Sequence, residues 1–146
     1  MPEEEPIERA REDKRKGKSP STQAGEFVRE EMEHIREGEH GARSPEQAIA
    51  IGLSKARRAG VKLPAPKNAS EQIQEQAARE TRKAKSAGKE KTSAKRSRAA
   101  LRKLKREGHS AASKLALSRH ARSASAKRTK ASRSRSAQKA AATRKK

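Results

Sequence analysis

Large apolar side chains are scarce in this chain, and most of them sit in one short stretch. Leu, Ile, Val and Phe number 14 among 146 residues, and residues 19–64 hold the single Phe, both Val and three of the five Ile. Most of the 29% hydrophobic fraction is Ala, which favours helix but buries little area. A chain so composed has little to set against the entropy lost on ordering. Any core therefore has to be small, helical and centred on residues 19–64, and the rest is expected to be solvent-exposed.

Within that stretch the local signals are helical. Ser19 is a good N-cap and Pro20 fits the first helical position, where a missing N–H costs nothing. Ala24, Phe27, Val28, Met32 and Ile35 then recur at helical spacing, and Gly38 ends the run. Ser44-Pro45-Glu46-Gln47 has the form of a capping box, and Gly60 followed by Val61 that of a Schellman end. The second helix gathers Ala48, Ile49, Gly52, Leu53, Ala56 and Ala59 in one arc. Ala48, Gly52 and Ala56 would let a neighbouring backbone approach closely. The expectation is an all-α fold: an antiparallel helical hairpin over about 19–60, then exposed basic segments that are disordered or conditionally helical. A hairpin with so few large side chains should be marginal alone. Phe27, Val28, Ile35, Ile49, Gly52, Leu53 and Ala56 are thus expected to form a self-association face, with a homodimer as the result.

The flanking segments divide by composition. Residues 1–18 read as a charged mobile arm in which Ile7 has nothing to dock against. Residues 65–93 read as a Pro-containing linker and a polar helix, residues 94–108 as a short basic helix, and residues 109–146 as a low-complexity basic tail. The polar helix, at 69–87, carries only Ile73 as a large apolar residue and is expected to bury no face. Gly88 would interrupt it, and Thr92 or Ser93 would cap the next.

Charge is as uneven as apolarity. Residues 1–67 hold 14 Lys/Arg against 13 Asp/Glu, and residues 68–146 hold 25 against 5, within a formal net charge of +21. A one-sided field of this size draws polyanions. The expected nucleic-acid-binding residues are Lys95, Arg96, Arg98, Arg102, Lys103, Lys105, Arg106, Lys114, Arg119, Arg122, Lys127, Arg128, Lys130, Arg133 and Arg135. With no Trp or Tyr, a stacking platform for single-stranded bases is missing, which favours duplex DNA read through its backbone. RNA, or a protein partner helped by electrostatic reach, are the alternatives. On a helix-turn-helix reading, Arg57 and Arg58 could also touch phosphates.

Other chemistry finds little purchase. Without Cys there is no disulfide or thiolate site. None of His34, His40, His109 and His120 has metal-ligand spacing, and all four are expected in solvent. No triad or phosphate-cradling loop is evident, so the chain is expected to be non-enzymatic, with no metal, cofactor or small-molecule substrate. Glu31 falls inside the apolar arc of the first helix; it either reaches water at the rim or pairs with a base of the second helix. The longest apolar run is too short to span a bilayer. No apolar N-terminal segment marks a signal peptide. The expected location is the cytoplasm, on the nucleoid.

The block SPSTQAGEFVREEMEHIREGEHGARSPEQAIAIGLSKARRAGVKLP resembles a group of small basic bacterial proteins of unknown function, often labelled DNA-binding or plasmid-stabilisation proteins. Residues 98–124 look like their second shared block. The resemblance implies DNA association or maintenance and offers no catalytic residues. The tail is similar to the Lys/Ala/Ser-rich tails of histone H1-like bacterial proteins.

Overall fold

The computed structural model describes residues 4–86 and 93–145. Among them it is all-helical, without a strand: α1 (Glu4–Arg15), α2 (Pro20–Glu37), α3 (Pro45–Arg58), α4 (Glu71–Lys85), α5 (Ala94–Arg106), a 3₁₀ turn (Ser110–Ala112), α6 (Lys114–Ala126) and α7 (Lys130–Arg144). The position of Gly88 and the cap at Thr92 fall outside the described residues.

Side-chain caps set the central pair of helices. The Ser19 hydroxyl accepts from the Thr22 N–H, and α2 stops at Gly38 in the left-handed conformation, φ 84°. Ser44 accepts from the Gln47 N–H at 3.2 Å. The Gln47 amide oxygen reaches back one residue further than a capping box requires and accepts from the Arg43 N–H at 2.7 Å. At the far end the Val61 N–H donates to Ala56 O and the Gly60 N–H to Arg57 O, which satisfies carbonyls that a helix end would otherwise leave orphaned.

α2 and α3 pack on one another through two apolar clusters. One joins Ala24 and Phe27 to Ala56, Val61 and Ala10. The other joins Met32 and Ile35 to Ala42, Ala48, Ala111 and Ala112. Between them Gly52 lies against the backbone of Val28. A Cβ built on Gly52 would stand 2.7 Å from Val28 Cα and 2.9 Å from Val28 N. Helix propensity alone would make Gly52→Ala stabilising by about 1 kcal/mol. The close approach reverses that sign: the substitution is expected to destabilise by about 1–3 kcal/mol, read as a lower urea midpoint by circular dichroism.

Two flanking helices depart from expectation. Residues 4–15 are docked: Pro6, Ala10 and Asp13 of α1 are buried, and Ile7 packs on the Phe27 cluster. Arg9 supplies the polar half of the contact, with Nε 2.8 Å from Glu26 and Nη2 3.0 Å from Glu30. The dock uses small side chains and ion pairs, which a search for large apolar residues passes over. α4 likewise packs on α3 through polar groups. Its Glu80 is buried, accepting from the Ser54 hydroxyl and from Arg57 at 3.4 Å, while Ile73 remains 51% exposed.

Candidate nucleic-acid interface

Beyond residue 93 the cations are carried on α5, α6 and α7 and the turn between the last two, and none of these three helices buries a residue. α5 is positioned from its C-terminal end. The Gly41 N–H donates to Leu104 O at 2.9 Å and the Ala42 N–H to Gly108 O at 3.0 Å. The loop between α2 and α3 thus bonds to the last turn of α5 and to the residue just past its cap, with Leu104 O accepting from the Glu107 N–H as well. Gly41 permits this approach, since a side chain there would overlap the Glu107 carbonyl. Lys95, Arg98, Arg102 and Lys105, with Leu101 among them, line one shallow depression along α5. Their spacing of three and four residues puts them on one helical face.

α6 starts at Ser113, which accepts from the Ala116 N–H at 3.1 Å. Leu117 packs on the cluster around Ile35, and His120 Nδ1 lies 3.0 Å from Glu46 Oε1. A hydrogen bond from its own backbone amide, and then His120, hold the Glu46 carboxyl below the usual carboxylate range. α7 starts at Thr129, which accepts from the Ser132 N–H at 3.2 Å. Arg128 donates to the Ser132 carbonyl and hydroxyl.

All fifteen cations expected to meet nucleic acid, from Lys95 to Arg135, are exposed. The ion pairs among the described residues lie within residues 5–80, apart from His120–Glu46, so none involves these fifteen. Arg57 is not on this surface. It is buried and donates to Leu63 O at 2.8 Å, while Arg58 is exposed and reaches Ser54 Oγ.

The residues expected at a self-association face are occupied inside the chain. Phe27, Ile35 and Ala56 are buried, Gly52 is filled by Val28, and Val28, Ile49 and Leu53 are partly buried against the two clusters. α1, the 3₁₀ turn and α6 cover what two helices alone leave open.

Two histidines expected in solvent are buried instead. His34 and His40 face Glu31, itself 0% exposed, and each of the three offers a ligand atom within 4.8 Å of the others. Lys55 of α3 donates to Glu31 Oε1, so of the two readings of Glu31 the paired acid is the one found. The signal for the histidine pair was present in part. His34 follows Glu31 by three residues, next to Ile35, on the buried side of α2; His40 arrives only through the fold of the loop.

Residues 18–68, about a third of the chain, match a family of unknown function (DUF6496). The match spans α2 and α3 and ends before the basic helices, so residues 98–124 lie outside it. No curated protein and no solved structure matches the chain. Among the described residues no helix is long and apolar enough to cross a membrane.

Proposed function

We propose that this chain is a non-enzymatic protein that binds duplex DNA with little sequence preference, through the cations of α5, α6 and α7. One observation carries the reading. Up to residue 80, Arg9, Lys16, Lys18, Arg29, Lys55 and Arg57 pair with carboxylates, whereas the fifteen exposed cations beyond make no ion pair among the described residues. Unpaired Lys and Arg on exposed helices displace counterions from a phosphate backbone, which supplies most sequence-independent affinity.

On this reading α2 and α3 are an antiparallel hairpin, since early α2 residues (Ala24, Phe27) meet late α3 residues (Ala56). The hairpin is the anchor, and the loop at Gly41 fixes α5 to it. α7 buries nothing; it is open in water, where its cations repel, and helical once phosphates neutralise them. The consequence is compaction or maintenance of DNA on the nucleoid. Each chain brings several cationic helices to one duplex, without needing a second copy to complete its core. The experiment is titration of the full chain into a labelled DNA duplex in dilute buffer, with structured RNA of equal length as competitor. Duplex binding that RNA displaces only in excess supports the reading. Preference for RNA, or no binding, overturns it.

A further inference from the structure

The buried cluster around Glu31 poses a problem in hydrogen bonding. His40 Nδ1 lies 3.0 Å from Gly41 O. A carbonyl only accepts, so Nδ1 carries a proton, and where the ring holds no second proton Nε2 presents a lone pair. That lone pair faces Glu31 Oε2 at 3.2 Å. A carboxylate oxygen also only accepts, and Glu31 Oε2 is a buried atom without a hydrogen-bond partner. Two such atoms turned toward each other in a buried place call for a shared positive centre, either a proton on Nε2 or a metal ion.

His34 completes a third side. Its Nε2 is turned toward Glu30 Oε1 at 3.5 Å and Glu39 Oε2 at 3.8 Å, and its Nδ1 lies 3.9 Å from Glu31 Oε1. A carboxylate behind the far nitrogen of a histidine is the outer-shell arrangement that orients metal-ligating imidazoles. The backbone carbonyl behind His40 does the same. Lys55 holds Glu31 Oε1 and leaves Oε2 to the histidines. Two ligands on a tetrahedral Zn²⁺, each about 2.0–2.1 Å from the ion, stand roughly 3.3 Å apart, close to the separation of His40 Nε2 and Glu31 Oε2.

We propose that Glu31, His34 and His40 form a buried site for one divalent transition cation, with Zn²⁺ the best match to a donor set of two imidazoles and one carboxylate. The role is structural. The ion joins the end of α2 to the loop that carries Gly41 and Ala42, whose N–H groups hold α5, and so fixes the direction of the basic helix. Nothing in this inference requires DNA binding, and its test does not involve DNA.

The test is titration of the full chain with Zn²⁺ by calorimetry, repeated with Co²⁺ to read the visible absorption of a four-coordinate site. One Zn²⁺ per chain is expected, with His40→Ala and His34→Ala each weakening binding by about 100-fold or more. The double variant His109→Ala/His120→Ala should keep the affinity within about twofold. Circular dichroism shows whether each variant folds. Histidine ring NMR signals of the unmodified chain give the answer independently of any variant: Zn²⁺ must shift those of His34 and His40 and spare those of His109 and His120. Absence of saturable Zn²⁺ binding overturns the site, and leaves a proton shared by Glu31 and His40 as the occupant. Binding that follows His109 and His120 overturns it as well.

Discussion

Replacing Lys95, Arg98, Arg102 and Lys105 together by Gln is expected to lower affinity for duplex DNA on the order of a thousandfold at physiological salt. These four side chains line one depression on α5. If each neutralises one phosphate, four lost contacts remove about 3 to 4 from the slope of log K against log salt, and that difference accumulates between 1 M and 0.15 M. Gln is close to Lys and Arg in helix propensity, and α5 buries no residue, so helicity should be unchanged by circular dichroism. Lys16 and Arg29 provide the contrast. Each is already paired, Lys16 with Glu12 and Arg29 with Glu33, so replacing both by Gln should change affinity only a few-fold. Equal effects from the two sets would mean that bulk charge, rather than unpaired charge on α5, governs binding.

Phe27→Ala is expected to cost about 3–5 kcal/mol of folding stability, the largest effect of any single core truncation here. Phe27 is 1% exposed and is the largest fully buried side chain. It stands where α1, α2 and α3 meet, among Ala10, Ala24, Ala56 and Val61. Its fully buried neighbours are mostly Ala, too short to collapse into the space, so a cavity persists. Small domains carry roughly 5–15 kcal/mol in total, so the loss should leave the variant largely unfolded at modest urea. Ile73→Ala is the control; that side chain is half exposed, and its truncation should stay within about 0.5 kcal/mol. Urea denaturation followed by circular dichroism measures both. A Phe27→Ala midpoint matching that of Ile73→Ala would show that the central cluster is not what holds the helices together.

What was legible in the sequence was local. Ser19-Pro20, Gly38, Ser44-Pro45 and Gly60-Val61 each encode a helix end within four or five residues, and the helices begin and end beside them. The space for a close neighbour at Gly52 was legible too, since an interior Gly on a helix has a cost that packing must offset. The misreadings share one cause, which is that the contacts are polar or small and distant in sequence. Ile7 finds the Phe27 cluster because Arg9 reaches Glu26 and Glu30. α4 docks by Glu80 on Ser54 and Arg57 rather than by Ile73. The bonds from Gly41 and Ala42 to Leu104 and Gly108 span more than sixty residues. No periodicity reports such pairings. His40 was unreadable for the same reason: its burial against Glu31 depends on a loop path, not on spacing.

The claim on which the account stands is that the unpaired cations of the back half are neutralised by phosphate. Equilibrium binding of the full chain to a short DNA duplex, across a series of salt concentrations, measures it most directly. With about ten of the fifteen cations engaged, log K should fall with log salt at a slope near −9. A slope near zero, or no binding in dilute buffer, would contradict it.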